Sequence, residues 1–117
     1  EIAAAIVSTV AKIDRRLALF APPDSALSAQ GKAEGLRVVA EGFADRRYRP
    51  DGSLVPRGEP DAFVHTPAEA VVQALTLLRQ GRIRTLCVHG DNPQAVEFVR
   101  ELRTALQNEG VTIRSFA

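Results

Sequence analysis

Cysteine is all but missing from this chain: Cys87 is the only one in 117 residues. One thiol can close no intrachain disulfide and build no cysteine-based zinc cluster, so a reducing, cytoplasmic setting is the default expectation. Cys87 sits in an apolar run, where a free thiol more often serves as a small hydrophobe than as a nucleophile. Long hydrophobic runs are missing too. Stretches such as residues 3–7 are far too short to cross a bilayer, and the basic, apolar, small-residue order of a signal peptide does not occur. Nor does charge of one sign dominate. Fifteen basic residues face 14 acidic ones for a net charge of +1, which supplies no bulk attraction to nucleic acid or to an anionic membrane. Lysine is scarce, with only Lys12 and Lys32 against 13 arginines. No glycine-rich phosphate loop of either nucleotide-binding pattern is present.

What remains is a chain long enough for one modest core, patterned as alternating helices and strands. Ile2, Ile6, Val10 and Ile13 recur at helical steps and predict an amphipathic helix over 2–13 with those residues as its buried stripe. Residues 17–20 read as a short strand. Asp24 or Ser25 then caps a helix running to about Glu34, before Gly35. A second strand over 36–40 delivers Glu41 at its carboxyl end. Thr66-Pro67-Ala68-Glu69 has the form of a capping box and opens a helix to Gln80 that buries Val71, Val72, Leu75 and Leu78, with Gly81 as its stop. Residues 84–88 form a third strand. A helix over 93–109 follows, with Asn92 as its cap and Val96, Val99, Leu102 and Leu106 on its buried face, and 111–116 reads as a last strand. Such alternation argues for an α/β fold with mostly parallel strands and polar residues of interest on the loops leaving the strands' carboxyl ends.

Two of those loops are rich in polar groups. Leu86-Cys87-Val88 runs into His89-Gly90-Asp91 beside a helix start, where an imidazole and a carboxylate could relay a proton, hold a metal or position a polar substrate. The plainer alternative makes Asp91 and Asn92 helix caps and His89 a satisfied loop residue. The other loop, 42–60, exceeds the roughly 12 to 15 residues that a compact domain usually leaves without secondary structure. Its Pro50-Asp51-Gly52 turn predicts a small hairpin. Glu41 could serve as base, ligand or acceptor; Asp45 and Arg46 could pair with each other or meet a substrate carboxylate. Tyr48 could offer a hydroxyl or simply pack, and Arg57 could fold back to bind an anion. Arg46, Arg47, Arg49, Arg57 and Tyr48 would make a basic and aromatic patch, but interleaved acids and the balanced charge argue against nucleic acid. His65 reads as a surface residue at the start of a helix.

Glu41-x-Phe43-Ala44-Asp45-Arg46-x-Tyr48, Gly52-x-Leu54-Val55-Pro56-Arg57, Gln73 and Leu86-Cys87-Val88-His89-Gly90-Asp91-Asn92-Pro93 together resemble the LamB/YcsF family, the A components of ATP-dependent 5-oxoprolinase. The likeness extends, more weakly, over 1–116. It implies part of an irregular (β/α) barrel of the glycoside hydrolase and deacetylase type. It also implies hydrolysis of the 5-oxo-L-proline lactam to L-glutamate, with ATP and Mg supplied through a complex with subunits B and C. By the same resemblance Glu41, His89 and Asp91 would be catalytic, and Asp45, Arg46, Tyr48 and Arg57 would bind substrate. Motifs of the Asp-Leu-Asn-Ala-Asp, Gly-x-His-Pro and Lys-Pro-His-Gly types, which belong to the family's amino-terminal half, are absent. The expectation is therefore that residues 1–117 are the carboxyl-terminal half of one barrel domain, needing the other half or a second copy and inactive alone. The connection at Gly81-Arg82-Ile83-Arg84 is shorter than the family's.

Two rival functions remain open on the sequence. One is a metal-dependent, deacetylase-like hydrolase with His89 and Asp91 as two of its ligands, although no bound metal is firmly indicated. The other is a non-catalytic fragment acting in assembly. The catalytic reading requires the turns bearing Glu41 and His89 to open onto one rim.

Overall fold

The computed structural model describes residues 1–115. Its elements run α1 (Ile2–Ile13), β1 (Ala18–Ala21), α2 (Ala26–Ala33), β2 (Arg37–Phe43), α3 (Pro67–Arg79), β3 (Thr85–Cys87) and α4 (Ala95–Asn108). The strands form one sheet in the order β1-β2-β3, and β1 pairs with β2 in parallel, Leu19 opposite Val38 and Phe20 opposite Val39. A parallel pair needs a crossover, and α2 provides it. The described chain divides into two compact units, residues 1–42 with 80–86, and residues 43–79 with 87–115.

In the first unit α1 packs on α2 and α2 on β1. Ser25 caps α2, its hydroxyl accepting from the Ser28 N–H at 3.1 Å, so of the two residues able to cap it is Ser25 that does. The buried apolar residues of this unit are Val7, Ala21, Leu36, Val39 and Ile83. Asp24, left-handed at φ 59°, is ion-paired with Arg82. The helix predicted over 2–13 is present, but its predicted stripe is not the buried one. Val7 is the buried residue of α1, whereas Ile2 and Ile13 are 79% and 72% exposed. Periodicity finds a helix with an apolar face; it does not say that the face has a neighbour.

Gly31 explains how α2 lies so close to the sheet. A Cβ placed there would stand 2.8 Å from both Leu19 Cδ2 and Val38 Cγ2. Glycine in a helix interior costs roughly 1 kcal/mol relative to alanine, and here the missing methyl is what lets the helix and the strands approach.

The second unit is built on α3 against α4. Its core comprises Ala44, Val55, Ala62, Val64, Ala70, Ala74, Phe98, Leu102 and Leu106. Thr66 does cap α3, its hydroxyl accepting from the Glu69 N–H at 3.3 Å, while the Glu69 carboxylate reaches Arg47 at 3.1 Å. The buried residues of α3 are Ala70 and Ala74, with Val72 66% exposed, so small residues are buried in place of the larger ones predicted. The α4 face is likewise rotated from expectation. Phe98, fully buried, joins Leu102 and Leu106 at four-residue steps, leaving Val96 and Val99 exposed. The helix begins at Ala95 with Gln94 as its cap residue; Asn92 makes a turn before it, its side-chain oxygen accepting from the Gln94 N–H at 2.9 Å.

Residues 111–115 form no strand, and the end of that predicted element, Phe116, lies outside the described residues. An extended segment becomes a strand only where a neighbour takes its N–H and C=O groups, and the described sheet ends at β3.

Replacing Gly31 with alanine sets an overpacking cost of about 1–3 kcal/mol against roughly 1 kcal/mol of helix propensity gained. We expect Gly31→Ala to lower stability in urea unfolding by about 1 kcal/mol and Gly31→Val by more, because Val38 is branched and cannot turn aside.

Candidate functional site

The loop that follows β2 is tied down residue by residue. Gly52 N–H donates to Arg49 O at 2.9 Å, closing a turn over Pro50 and Asp51, with Gly52 at φ 85°. Tyr48 pairs with Leu54, and Arg46 with Phe63, as isolated antiparallel bridges. The predicted hairpin is thus present, as two bridges and not as regular strands. Ser53, through its hydroxyl and its N–H, lowers the Asp51 carboxyl below its usual range and fixes the turn tip.

Two charged side chains of this loop are buried, Asp45 at 3% exposure and Arg46 at 6%. They do not pair with each other, as their adjacency suggested they could. Arg46 donates from Nε to Ala62 O at 3.1 Å and from a terminal nitrogen to Val55 O at 2.6 Å, with its guanidinium 5.2 Å from the centre of the Phe63 ring. A planar fork holding two carbonyls of the returning chain is a clamp. Two of its donors are held by carbonyls of the returning chain, where the resemblance implies a substrate contact.

Asp45 turns the other way, onto the loop that follows β3. One carboxylate oxygen accepts the His89 main-chain N–H at 2.6 Å, and both oxygens lie 3.0 Å from His89 Nδ1. A carboxylate only accepts, so this contact is a hydrogen bond in the tautomer that carries its hydrogen on Nδ1. The Phe43 ring stacks on the imidazole, centroids 5.8 Å apart and planes 13° apart. His89 retains 23% of its side-chain surface while Asp45 retains 3%. Asp45 was expected at substrate; what it touches is His89.

Arg57 and Asp91 also meet, as an exposed ion pair at 3.8 Å, with the Arg57 guanidinium 5.7 Å from the Phe63 ring centre. Each of the two polar loops therefore sends a charged residue to the other: Asp45 to His89 and Arg57 to Asp91. The Tyr48 hydroxyl accepts the Phe43 N–H at 2.8 Å, holding the residue that stacks on His89. Glu41 lies within β2, which runs on to Phe43, and is half-buried in the first unit. His65 is exposed, as expected of it. Cys87 is half-buried in β3, and its carbonyl accepts the Ala44 N–H at 3.1 Å.

Gln73 is the residue whose part the sequence did not disclose. From α3 its amide nitrogen donates to three carbonyls around Asp45: Phe43 O at 2.8 Å, Ala44 O at 3.3 Å and Arg46 O at 2.6 Å. A polar residue in an otherwise apolar helix stripe was the available signal. Among the described residues no buried side-chain nitrogen or oxygen lacks a partner, and no group of three or more His, Cys, Asp or Glu could hold a metal ion. Of the two ligands the deacetylase-like alternative would use, His89 has its Nδ1 on Asp45 and Asp91 has a guanidinium beside it.

The motifs that meet here are those on which the resemblance rests, and comparison with known proteins agrees. The LamB/YcsF family model matches residues 1–117. The chain belongs to the LamB/YcsF family. It is 44% identical over 124 residues to the A component of 5-oxoprolinase from Symbiobacterium thermophilum, covering 96% of this chain and 48% of that protein. With the corresponding 5-oxoprolinase component of Methylococcus capsulatus it shares 44% over 123 residues, covering 95% and 47%. The crystal structure of a lactam utilization protein from Thermus thermophilus superposes with a TM-score of 0.86 at 35% identity, covering 97% of this chain and 50% of that one. The chain thus spans about half the length of the curated relatives it matches. Within the LamB/YcsF family its fold is the expected α/β type with parallel strands, a part of the family's barrel.

Removing the Gln73 donor leaves three carbonyls around Asp45 short of a partner. Gln73→Leu should destabilise the protein by about 1–3 kcal/mol in urea unfolding, whereas Thr76→Ala, on the exposed side of α3, should change it by under about 0.5 kcal/mol.

Proposed function

We propose that this chain contributes to the lactam-opening site of a cytoplasmic 5-oxoprolinase, as a portion of its A component. The observation that carries this reading is the hydrogen-bonded pair of Asp45 and His89, which joins the family's two polar motifs at one place. Support comes also from relatives named as 5-oxoprolinase components and as a lactam utilization protein.

The substrate, 5-oxo-L-proline, is a five-membered cyclic amide bearing a carboxylate. Opening it requires attack of water on the amide carbon and a proton for the departing nitrogen. In this proposal His89 does that work, because its Nδ1 is held by Asp45 and its Nε2 is the nitrogen able to accept from water or donate to the leaving amine. Arg57 receives the substrate carboxylate. Its present partner, Asp91, is 3.8 Å away and the two side chains are 51% and 71% exposed, so this contact is loose enough to exchange. Asp91 then assists the proton transfers. Tyr48 supports the site through Phe43 and is not needed at the substrate.

An amide is a poor electrophile, and ATP with Mg supplies activation when the full complex with subunits B and C assembles. The roles given to this chain's residues concern the lactam, its carboxylate and the attacking water. Its exposed apolar groups suit the same picture. Ile2, Ile6 and Ile13 of α1 are 79%, 43% and 72% exposed, and the relatives carry about as much chain again. We propose that the complementary half of the A component covers that helix face. No helix of the described residues is long and apolar enough to cross a membrane.

The test is glutamate formation from 5-oxoproline by a complex reconstituted from this chain, the complementary half and subunits B and C. His89→Ala should lower kcat by at least about 100-fold. Arg57→Ala should raise KM for 5-oxoproline by about 10-fold or more with kcat changed far less. Unchanged turnover by His89→Ala would instead favour a scaffolding role.

A further inference from the structure

We infer that Asp45 is a positioning residue for His89: it selects the tautomer of the imidazole and fixes the direction of its working nitrogen. For catalysis this inference rests on the function proposed above, but the hydrogen-bond geometry stands by itself. The sequence placed Asp45 with the substrate-binding residues. The structure gives it no such freedom, since it is 3% exposed and both of its oxygens face Nδ1 of His89 at 3.0 Å.

Three constraints act together on the imidazole. The bond from the His89 N–H to the same carboxylate, at 2.6 Å, fixes the backbone from which the side chain springs. The Nδ1 hydrogen bond sets the ring's rotation about its last torsion. Phe43, stacked with planes 13° apart, limits tilting out of that orientation. The carboxylate is itself immobilised, because Gln73 holds the carbonyls of Phe43, Ala44 and Arg46 on either side of it. A purely structural role for Asp45 would need only the bond to the main-chain N–H. The Nδ1 contact adds what that role does not require: in the neutral ring the hydrogen stays on Nδ1, leaving the Nε2 lone pair to accept a proton, and the imidazolium that then forms is stabilised by the adjacent carboxylate.

Asparagine separates the two roles. Its side-chain oxygen can still accept the His89 N–H, but its amide group then presents hydrogens to Nδ1. The neutral imidazole must respond by accepting at Nδ1 and carrying its hydrogen on Nε2. Asp45→Asn therefore keeps the loop connection and reverses the tautomer. In hydrolases where a carboxylate orients a catalytic histidine, the same exchange lowers kcat by about 10⁴-fold through the wrong tautomer.

The experiment is 15N-edited NMR of the His89 ring in the complete chain, above the pH at which the imidazole is neutral, together with turnover by the reconstituted complex. We expect the wild-type ring to be protonated at Nδ1 with Nε2 bare, and Asp45→Asn to show the reverse. In turnover, Asp45→Asn should lower kcat by about 100-fold or more and leave KM for 5-oxoproline within about 3-fold; Asp45→Glu should recover part of the loss. A wild-type ring protonated at Nε2, or an unchanged tautomer in Asp45→Asn, overturns the inference whatever the turnover. A reversed tautomer with undiminished turnover overturns the catalytic part of the inference and leaves the structural coupling of the pair intact, whereas the functional reading fails on unchanged turnover by His89→Ala.

Discussion

Asp45 brings a carboxylate to a place that water scarcely reaches, and the surrounding loops are arranged to meet it. An ionised group in such a position is costly unless donors surround it, and the donors here come from a loop more than forty residues further along the chain. The loop after β2 and the loop after β3 are thereby joined through one side chain. Gln73 and Arg46 complete the arrangement by taking up carbonyl groups of a tightly folded loop, and no buried side-chain nitrogen or oxygen among the described residues lacks a partner. This is why a long segment with almost no regular secondary structure can nevertheless hold side chains in fixed directions.

The same economy of form shows in the two helix-based contacts. At Gly31 the absence of a side chain brings α2 onto the sheet, and at Ala70 and Ala74 small side chains line the buried face of α3. At Gly31 close approach, not bulk of the apolar residues, sets the geometry. Phe98 is the exception, a large ring fully enclosed in the second unit. Larger aliphatic residues, including Ile2, Ile13, Val72 and Val96, stand on the outside. Their exposure fits a chain that shares its family's fold over about half the length of its relatives.

Much of this was legible from the amino acids. Helical spacing located α1, α3 and α4, cap and stop residues located α2, and turn residues located the hairpin at Pro50 and Gly52. The faces were less legible. Period alone makes Ile2, Ile6 and Ile13 a core stripe and Val96 and Val99 part of another, because a pattern of apolar residues records a capacity for burial and not the presence of a neighbour. The start of α4 shifted because Asn92 uses its side chain in a turn, an alternative that capping residues always offer. Within the site, residue type singled out Asp45, Arg46 and His89 as candidates but not what each would touch. Adjacent opposite charges suggested an ion pair, whereas the chain bends at Ala44 and Asp45 and the two side chains part, Arg46 to the returning loop and Asp45 to His89. Gln73, distant in sequence and chemically modest, could be tied to the loop only through the fold.

Everything at the site depends on a buried Asp45 carboxylate that holds the His89 main chain as well as its ring. Amide hydrogen exchange at His89 tests this most directly. The His89 N–H should exchange about as slowly as the amides of the α3 and α4 core, despite lying in a loop, and Asp45→Ala should bring it to the rate of an open turn. A His89 amide that already exchanges at the rate of an unprotected loop in the wild-type protein would contradict this.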